Sequence, residues 1–359
     1  MEYSPEKKTI LGSLAYHWSE ADRAVIHFPT STHPVPAGVF SNCGTSSLGN
    51  FSLLPLEIIH NILLELDVAS LGAIRCLNTH FYDTVGKVPA YRDLTTFAPN
   101  ALRALSATDV LSNYSIRYLY NILCRDRCIG CNEFGSFLFL PTASRCCFSC
   151  IKAHPETEVV SASAATALFG LTESALSRVT IARTVVGQYG ISEKSSRRRI
   201  RVVSREEARR LGISIHGSQT EMERAASLGI RRGGNSDGSS HKHRIQGGTN
   251  RPMPQPPGAN DTLRFMACTA FPYLDAQQRR IDKGVCCRGC EYNWYRRDED
   301  FAPGHDIDED LFRKQNMAFS EDEFLAHFET CGSAKMLWND YILKSRSVSE
   351  PDRSTLFRT

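Results

Sequence analysis

The chain has 359 residues, of which 42% are hydrophobic and 23% charged, and its formal net charge is +3. This is the composition of an ordinary soluble protein with room for two or three domains. Its longest charge-free, apolar-leaning run, Val159–Thr172, has 14 residues, too few to span a bilayer, so no membrane association is expected.

Residues 1–48 are expected to form an irregular extension, because HFPTSTHPVPAG and SNCGTSSLGN are rich in turn formers. Lys7 and Lys8 precede TILGSLAYHW, a run too short and interrupted for a secretory signal. Residues 49–96 read as three short helices in tandem. Pro55 suits the start of the first, where its missing N–H costs nothing. Ile58, Ile59, Ile62, Leu63 and Leu66 then make a wide apolar stripe at helical spacing. Asp67 can cap a second helix carrying Leu71, Ile74 and Leu77. Asn78 or Thr79 can cap a third carrying Phe81, Tyr82 and Val85. So short a segment cannot bury that much apolar surface by itself, and the surplus calls for a partner.

Residues 97–158 combine a helical lead-in (100–123) with a first group of cysteines. The middle region, 159–231, is expected to be mixed and mostly helical. Ser204/Glu207 and Thr220/Glu223 match the capping box. A short strand is predicted at 200–203, followed by a helix at 204–212 ending on Gly212. Residues 232–260 are dominated by Gly, Ser, Asn and Pro and read as a disordered linker. A second compact unit spans 261–345, and 346–359 is a tail. The fold class expected is mainly α with short strands (α+β).

Charge is unevenly spread. Residues 194–251 hold 14 Lys/Arg against 5 Asp/Glu. The run KSSRRRIR within it reads as a solvated face, with nuclear import and nucleic-acid contact as rival readings. It lacks the interleaved aromatics that single-strand binding uses, so a nucleic-acid partner is not expected.

Of the 13 cysteines, ten fall in two groups, at 124, 128, 131, 146, 147, 150 and at 286, 287, 290, 331. Clustering in C-x-x-C pairs favours metal over disulfides. In the first group Cys128, Cys131, Cys147 and Cys150 are the expected Zn²⁺ ligands, two from each tight turn, with GSFLFLP returning the chain between them as a strand. Cys124 and Cys146 are the substitutes if that register is wrong. Buried free thiols or a redox pair are the competing readings.

In the second group Cys287 and Cys290 form one knuckle. The complement expected is His327 with Cys331, four residues apart on a helix capped by Ser320 with Glu323. The 36 residues between Cys290 and His327 contain an acidic insertion, RRDEDFAPGHDIDED. His305, within that insertion, is expected to be solvated. Two structural Zn²⁺ ions follow, each with all four positions filled by protein.

The segment 54–94 resembles the F-box: Leu54-Pro55, an acidic residue two on, a paired-aliphatic helix, the D-x-x-S-L turn at Asp67, Ser70 and Leu71, and a third helix. Arg75-Cys76-Leu77-Asn78 stands where animal-type boxes carry Cys-Arg-x-Trp, and Asn78-Thr79-His80-Phe81-Tyr82 is similar to a filamentous-fungal variant. Members of that type often follow the box with C-x-x-C pairs and end in a hydrophobic-x-x-His-Phe-x-x-Cys helix, here Leu325 to Cys331. The resemblance implies a non-catalytic, substrate-recruiting subunit of an SCF-type cullin–RING ubiquitin ligase. It would dock on the Skp adaptor through Leu54, Pro55, Ile58, Ile59, Ile62, Leu66 and Leu71. Partners would be the Skp adaptor, the cullin scaffold and an unknown protein substrate, in cytoplasm, nucleus or both.

The alternative is a zinc-finger nucleic-acid-binding protein using both cysteine groups and residues 194–251. A Skp-binding scaffold without a cullin is a third reading. Catalytic readings lack their motifs: no H-x-E with P-C-x-x-C, no H-E-x-x-H and no G-x-x-x-x-G-K-[ST] occurs. The two cysteine groups lie too far apart for one interleaved RING.

Overall fold

The computed structural model describes residues 3–28, 49–232, 261–300 and 309–349. The expected linker from 233 onward, segment 29–48, His305 and the tail beyond 349 lie outside the described residues.

Residues 3–28, expected to be irregular, form helix α1 (Pro5–Leu14), strand β1 (Ala15–Tyr16) and helix α2 (Ser19–Ala24). Ser4 caps α1, and Ile10 and Leu14, one helical turn apart, are buried. The turn formers that suggested irregularity lie mostly beyond residue 28. Helices α3 (Leu56–Leu64), α4 (Val68–Arg75) and α5 (Thr79–Lys87) follow. The Asp67 carboxylate accepts from the N–H groups of Ala69 and Ser70 and starts α4. These bonds outweigh the effect of burial and hold Asp67 below the usual carboxylate range. Asn78 caps α5 by accepting from Phe81 N–H.

Helices α6 (Pro89–Phe97) and α7 (Pro99–Ala107) each begin on a proline in the first turn. The lead-in at 100–123 is broken: α7 ends at Ala107, and α8 (Ile116–Leu123) restarts under a Ser115 cap. Strands β2 (Phe137–Phe139) and β3 (Ser144–Cys146) then form a ribbon, and α9 (Phe148–Ala153) follows.

The middle region contains β4 (Val159–Ser161), α10 (Ala162–Phe169), α11 (Glu173–Leu176), β5 (Ala182–Arg183), β6 (Gly187–Tyr189), β7 (Lys194–Ser196), β8 (Arg201–Ser204), α12 (Arg205–His216) and α13 (Gln219–Arg232). Helix α12 does not stop at Gly212. It runs on to Gly217, whose φ of 88° makes the left-handed cap. A Cβ at Gly212 would stand 2.8 Å from Met222 Sδ, so that glycine serves the approach of α13. Helix α13 starts ahead of the expected Thr220 box, and Ser218 Oγ accepts from Glu221 N–H.

The remaining elements are α14 (Asp261–Phe265), β9 (Cys268–Ala270), β10 (Tyr273–Asp275), β11 (Arg280–Asp282), β12 (Cys286–Cys287), α15 (Arg288–Asp300), α16 (Glu309–Gln315), α17 (Glu321–Phe328) and α18 (Gly332–Ser349). The fold is mainly α with short antiparallel strands, in the orders β3-β2-β9, β4-β8-β5, β1-β12, β10-β11 and β6-β7.

The units expected in series are interleaved. Strand β9 completes the first cysteine ribbon by pairing with β2. Strand β1 pairs with β12 beside the second group, Ala15 opposite Cys287 and Tyr16 opposite Cys286. One continuous core runs from Ile59, Leu63 and Leu71 through Leu119 and Leu123 to Phe137–Leu140 and Phe265–Cys268. A separate cluster packs α10, α12 and α13 on the β4-β8-β5 sheet, and a third joins α1 to Cys287, Cys290, Phe324, Phe328 and Cys331.

Candidate apolar docking face and metal centres

Helix α3 carries two apolar faces. Ile59 and Leu63 point inward at 3% exposure each, whereas Ile58 and Ile62 remain 45% and 41% exposed. Phe51, Leu53, Leu54 and Leu56 are exposed just ahead of them. The expected docking set therefore divides. Leu54, Pro55, Ile58 and Ile62 lie at the surface, whereas Ile59 and Leu71 belong to the chain's own core and Leu66 is half-buried. The physical reason is the width of the stripe, since residues one apart on a helix cannot share a face. Sequence reasoning missed Phe51, Leu53 and Leu56.

The face stands on a fixed base. Leu66 O accepts from Ile116 N–H at 2.8 Å, and Arg117 Nε donates to Glu65 Oε1 at 2.6 Å. The buried Arg145 extends this base. Its five N–H groups reach the carbonyls of Ile122, Leu123, Gly135, Phe271 and Pro272. One side chain thus joins the end of α8, the first cysteine knuckle and the segment after β9. Nothing in the sequence marks Arg145 for this, because its partners are backbone atoms scattered along the chain.

Cys128, Cys131, Cys147 and Cys150 converge, with their sulfurs within 4.8 Å of one another, and this group of four could hold a metal ion. Cys131 and Cys147 Sγ are 3.5 Å apart. Backbone N–H groups of Gly130 and Cys147 donate to Cys128 Sγ, each at 3.3 Å. Gly130 is needed in this turn: a Cβ there would stand 2.7 Å from Cys150 Sγ. Hydrogen bonds from Cys147 and Cys150 hold the Cys128 thiol far below its ordinary range, and a bond with Cys147 brings Cys131 down to about 7. Cys147 is pushed far up by the same contacts. Four sulfurs converging this closely offer a soft cation a complete set of thiolate ligands.

The second group brings together Cys287, Cys290, His327 and Cys331, again within 4.8 Å. Cys290 Sγ lies 3.4 Å from His327 Nε2, and Cys287 Sγ lies 4.0 Å from Cys331 Sγ. Helix α17 begins in a complete Ser320/Glu323 capping box and ends at Phe328. Cys331 lies beyond its end, yet Cys331 N–H still donates to His327 O at 2.9 Å, which keeps the two side chains one turn apart. The knuckle meets this helix through the paired backbones of Val285 and Phe319, and His327 stacks on the Phe319 ring. Gly289 lets α18 close in, since a Cβ there would come 2.3 Å from Ala334 N. Hydrogen bonding with Cys287 and Cys331 pushes His327 up to about 9.

The two Cys-Cys doublets have a common logic. Each begins within a strand, where successive side chains face opposite ways. Cys146 and Cys286 turn away from the clusters and are buried, while Cys147 and Cys287 turn toward them. Cys124 lies outside the cluster, half-buried beside Tyr120.

A family model for the F-box domain matches residues 39–93, and the chain carries that domain there. The match covers the apolar face and helices α3 to α5, and it does not distinguish a fungal type. No curated protein and no solved structure matches. F-box domains bind Skp-type adaptors within SCF complexes. Among the described residues, no helix is long and apolar enough to cross a membrane.

Proposed function

We propose that the chain is a substrate-recruiting F-box subunit of an SCF-type cullin–RING ubiquitin ligase. The observation that carries this reading is the apolar face of Leu54, Pro55, Ile58 and Ile62, left uncovered within the matched domain. Burying such anchors against a partner's helices supplies the affinity. The chain performs no covalent chemistry. It holds a substrate close to a charged ubiquitin carrier and so raises the effective concentration of the acceptor lysine.

Both four-residue clusters hold Zn²⁺ as structural centres in this reading. Zn–S bonds of about 2.3 Å in a tetrahedron set sulfur–sulfur separations of about 3.8 Å. The separations of 3.5 Å and 4.0 Å bracket that value. Donor sets of Cys₄ and Cys₃His are those of structural zinc, with no position left open for water. The metals staple the platform that presents substrate, in cytoplasm, nucleus or both.

The basic middle region gives little support to a nucleic-acid reading. Arg201, Arg205, Arg209 and Arg210 pair with Glu173, Glu158 and Glu206 of the same chain. Affinity purification scored by mass spectrometry tests the proposal. Skp adaptor and cullin should both co-purify. The adaptor without a cullin would favour a scaffold outside ubiquitin transfer, and the absence of both would reject the assignment.

A further inference from the structure

A cleft of about 630 Å³ opens between the α3–α4 turn, the start of α8, the Pro141–Thr142 turn and α12. Its walls carry three carboxylates, Glu65, Asp67 and Glu207, and no Lys, Arg or His. Two of the three are already engaged. Asp67 is spent on its cap and Glu65 on Arg117. Glu207 is different, because among the described residues its buried Oε2 has no hydrogen-bond partner.

The local cap does not use the Glu207 carboxylate. Ser204 Oγ accepts from Glu207 N–H, the first half of a capping box. The return bond from Ser204 N–H to the Glu207 carboxylate is not made. The carboxylate is thereby freed from its local role and lines the cleft. A polar atom buried without a partner destabilises the fold, and a ligand that supplied the partner would recover that cost.

Beside Glu207 the cleft presents Tyr114 and Tyr118, with ring centroids 5.7 Å apart and planes 17° from parallel. Their hydroxyls are pinned: Tyr114 donates to Pro141 O at 2.6 Å, and Tyr118 donates to Thr142 O at 3.2 Å. What the pair has left to offer is ring surface rather than hydrogen bonds. Aromatic faces attract cations, and a planar guanidinium both stacks on a ring and forks onto a carboxylate.

We propose that this cleft binds the guanidinium of an arginine presented by a partner protein, with Glu207 as its carboxylate and the Tyr114–Tyr118 pair as its platform. The volume exceeds what one side chain fills and falls within the usual range for ligand pockets, which leaves room for the residues flanking that arginine. The inference rests on the cleft alone and stands whether or not the chain docks on a Skp adaptor.

The test uses the full chain with its tyrosines isotopically labelled. The probe is the capped peptide Gly-Arg-Gly, compared with the same peptide carrying citrulline, a neutral isostere, or lysine. The arginine peptide should shift the Tyr114 and Tyr118 ring signals and bind at least tenfold more tightly than the citrulline peptide. Glu207→Gln should abolish that preference while tyrosine signals elsewhere stay in place. Tyr118→Leu, at a partly exposed position, should weaken arginine binding by a comparable factor. Equal binding of arginine and citrulline peptides, or wild-type binding by Glu207→Gln, would overturn the proposal. Lysine binding as tightly as arginine would overturn the guanidinium assignment, and free arginine amide binding as tightly as the peptide would overturn the protein partner.

Discussion

Arg279 clasps Asp93 across 186 positions of sequence, Nη1 to Oδ2 at 2.7 Å and Nη2 to Oδ1 at 2.8 Å. Asp93 is the last residue of the F-box match and is only 1% exposed. Arg279 occupies the tight turn between β10 and β11 with φ at 54°. Bidentate pairs of this kind fix orientation as well as distance. The box is therefore tied to the β10–β11 hairpin, so the exposed face of α3 and the part that carries the cysteine clusters are placed relative to one another. Arg279→Ala strands a buried carboxylate, whose other cation among the described residues is Arg92 Nε at 3.6 Å. It should lower the melting temperature measurably, whereas Asp93→Asn combined with Arg279→Gln should lower it less, because no unpaired charge stays buried.

Arg145 makes a sharper case. Lysine carries three donors against the five of arginine, so Arg145→Lys leaves at least two of its carbonyl partners unpaired, at about 1–3 kcal/mol each. Thermal unfolding of Arg145→Lys should show a large loss of stability. A melting curve like that of the wild type would mean that the five contacts are incidental.

The two faces of α3 should respond oppositely to mutation. Ile59→Ala or Leu63→Ala should destabilise the fold by about 2–5 kcal/mol, as truncations in a packed core do. Ile58→Asp and Ile62→Asp should leave the melting temperature nearly unchanged, because both side chains face solvent. A marked drop for the Asp variants would place that face inside the fold and not at an interface.

Metal content should separate the two centres. The two groups of four ligands predict about two Zn²⁺ per chain in protein purified under reducing conditions without chelator. Cys128→Ser with Cys131→Ser should remove one ion and His327→Ala the other. In the zinc reading, metal binding is also part of the folding free energy. A chelator should therefore loosen residues 285–335 and, because β1 pairs with β12, expose 5–16 to protease as well. Elemental analysis showing no metal would reject the zinc reading.

His17 adds a pH dependence. Its Nε2 lies 2.8 Å from Asp22 Oδ2, and that hydrogen bond raises the imidazole pKa against the opposing effect of burial. A group raised on folding contributes fully below its unfolded pKa of about 6.5, and the contribution disappears as pH rises through the folded value. The stability gap between wild type and His17→Gln should thus be larger at pH 6 than at pH 8. A gap that grew with pH would reverse the assignment.

Much of this organisation can be read locally. The Asp67 and Asn78 caps, the Ser320/Glu323 box and the C-x-x-C knuckles each depend on a few neighbouring residues, and chain-local physics places them. Juxtapositions were less legible. Strands β1 and β12 have two residues each, too few to carry a period-2 pattern. The pairing of β9 with β2 joins segments more than a hundred residues apart, and Arg145 bonds only to carbonyls. The α3 stripe revealed an amphipathic helix but not which of Ile58 and Ile59 faced outward, since that depends on what the rest of the chain packs beneath it.

The central claim is that the outer face of α3 binds a Skp-type adaptor, and a direct binding measurement between the purified full chain and the purified adaptor tests it. The wild-type chain should bind tightly, with an affinity that changes little with salt because the contact is apolar. Ile62→Asp would bury an unpaired charge at the interface, a cost of several kcal/mol and so a loss of more than about a hundredfold in Kd. Binding by Ile62→Asp at wild-type strength, or no binding by the wild type, would contradict the account.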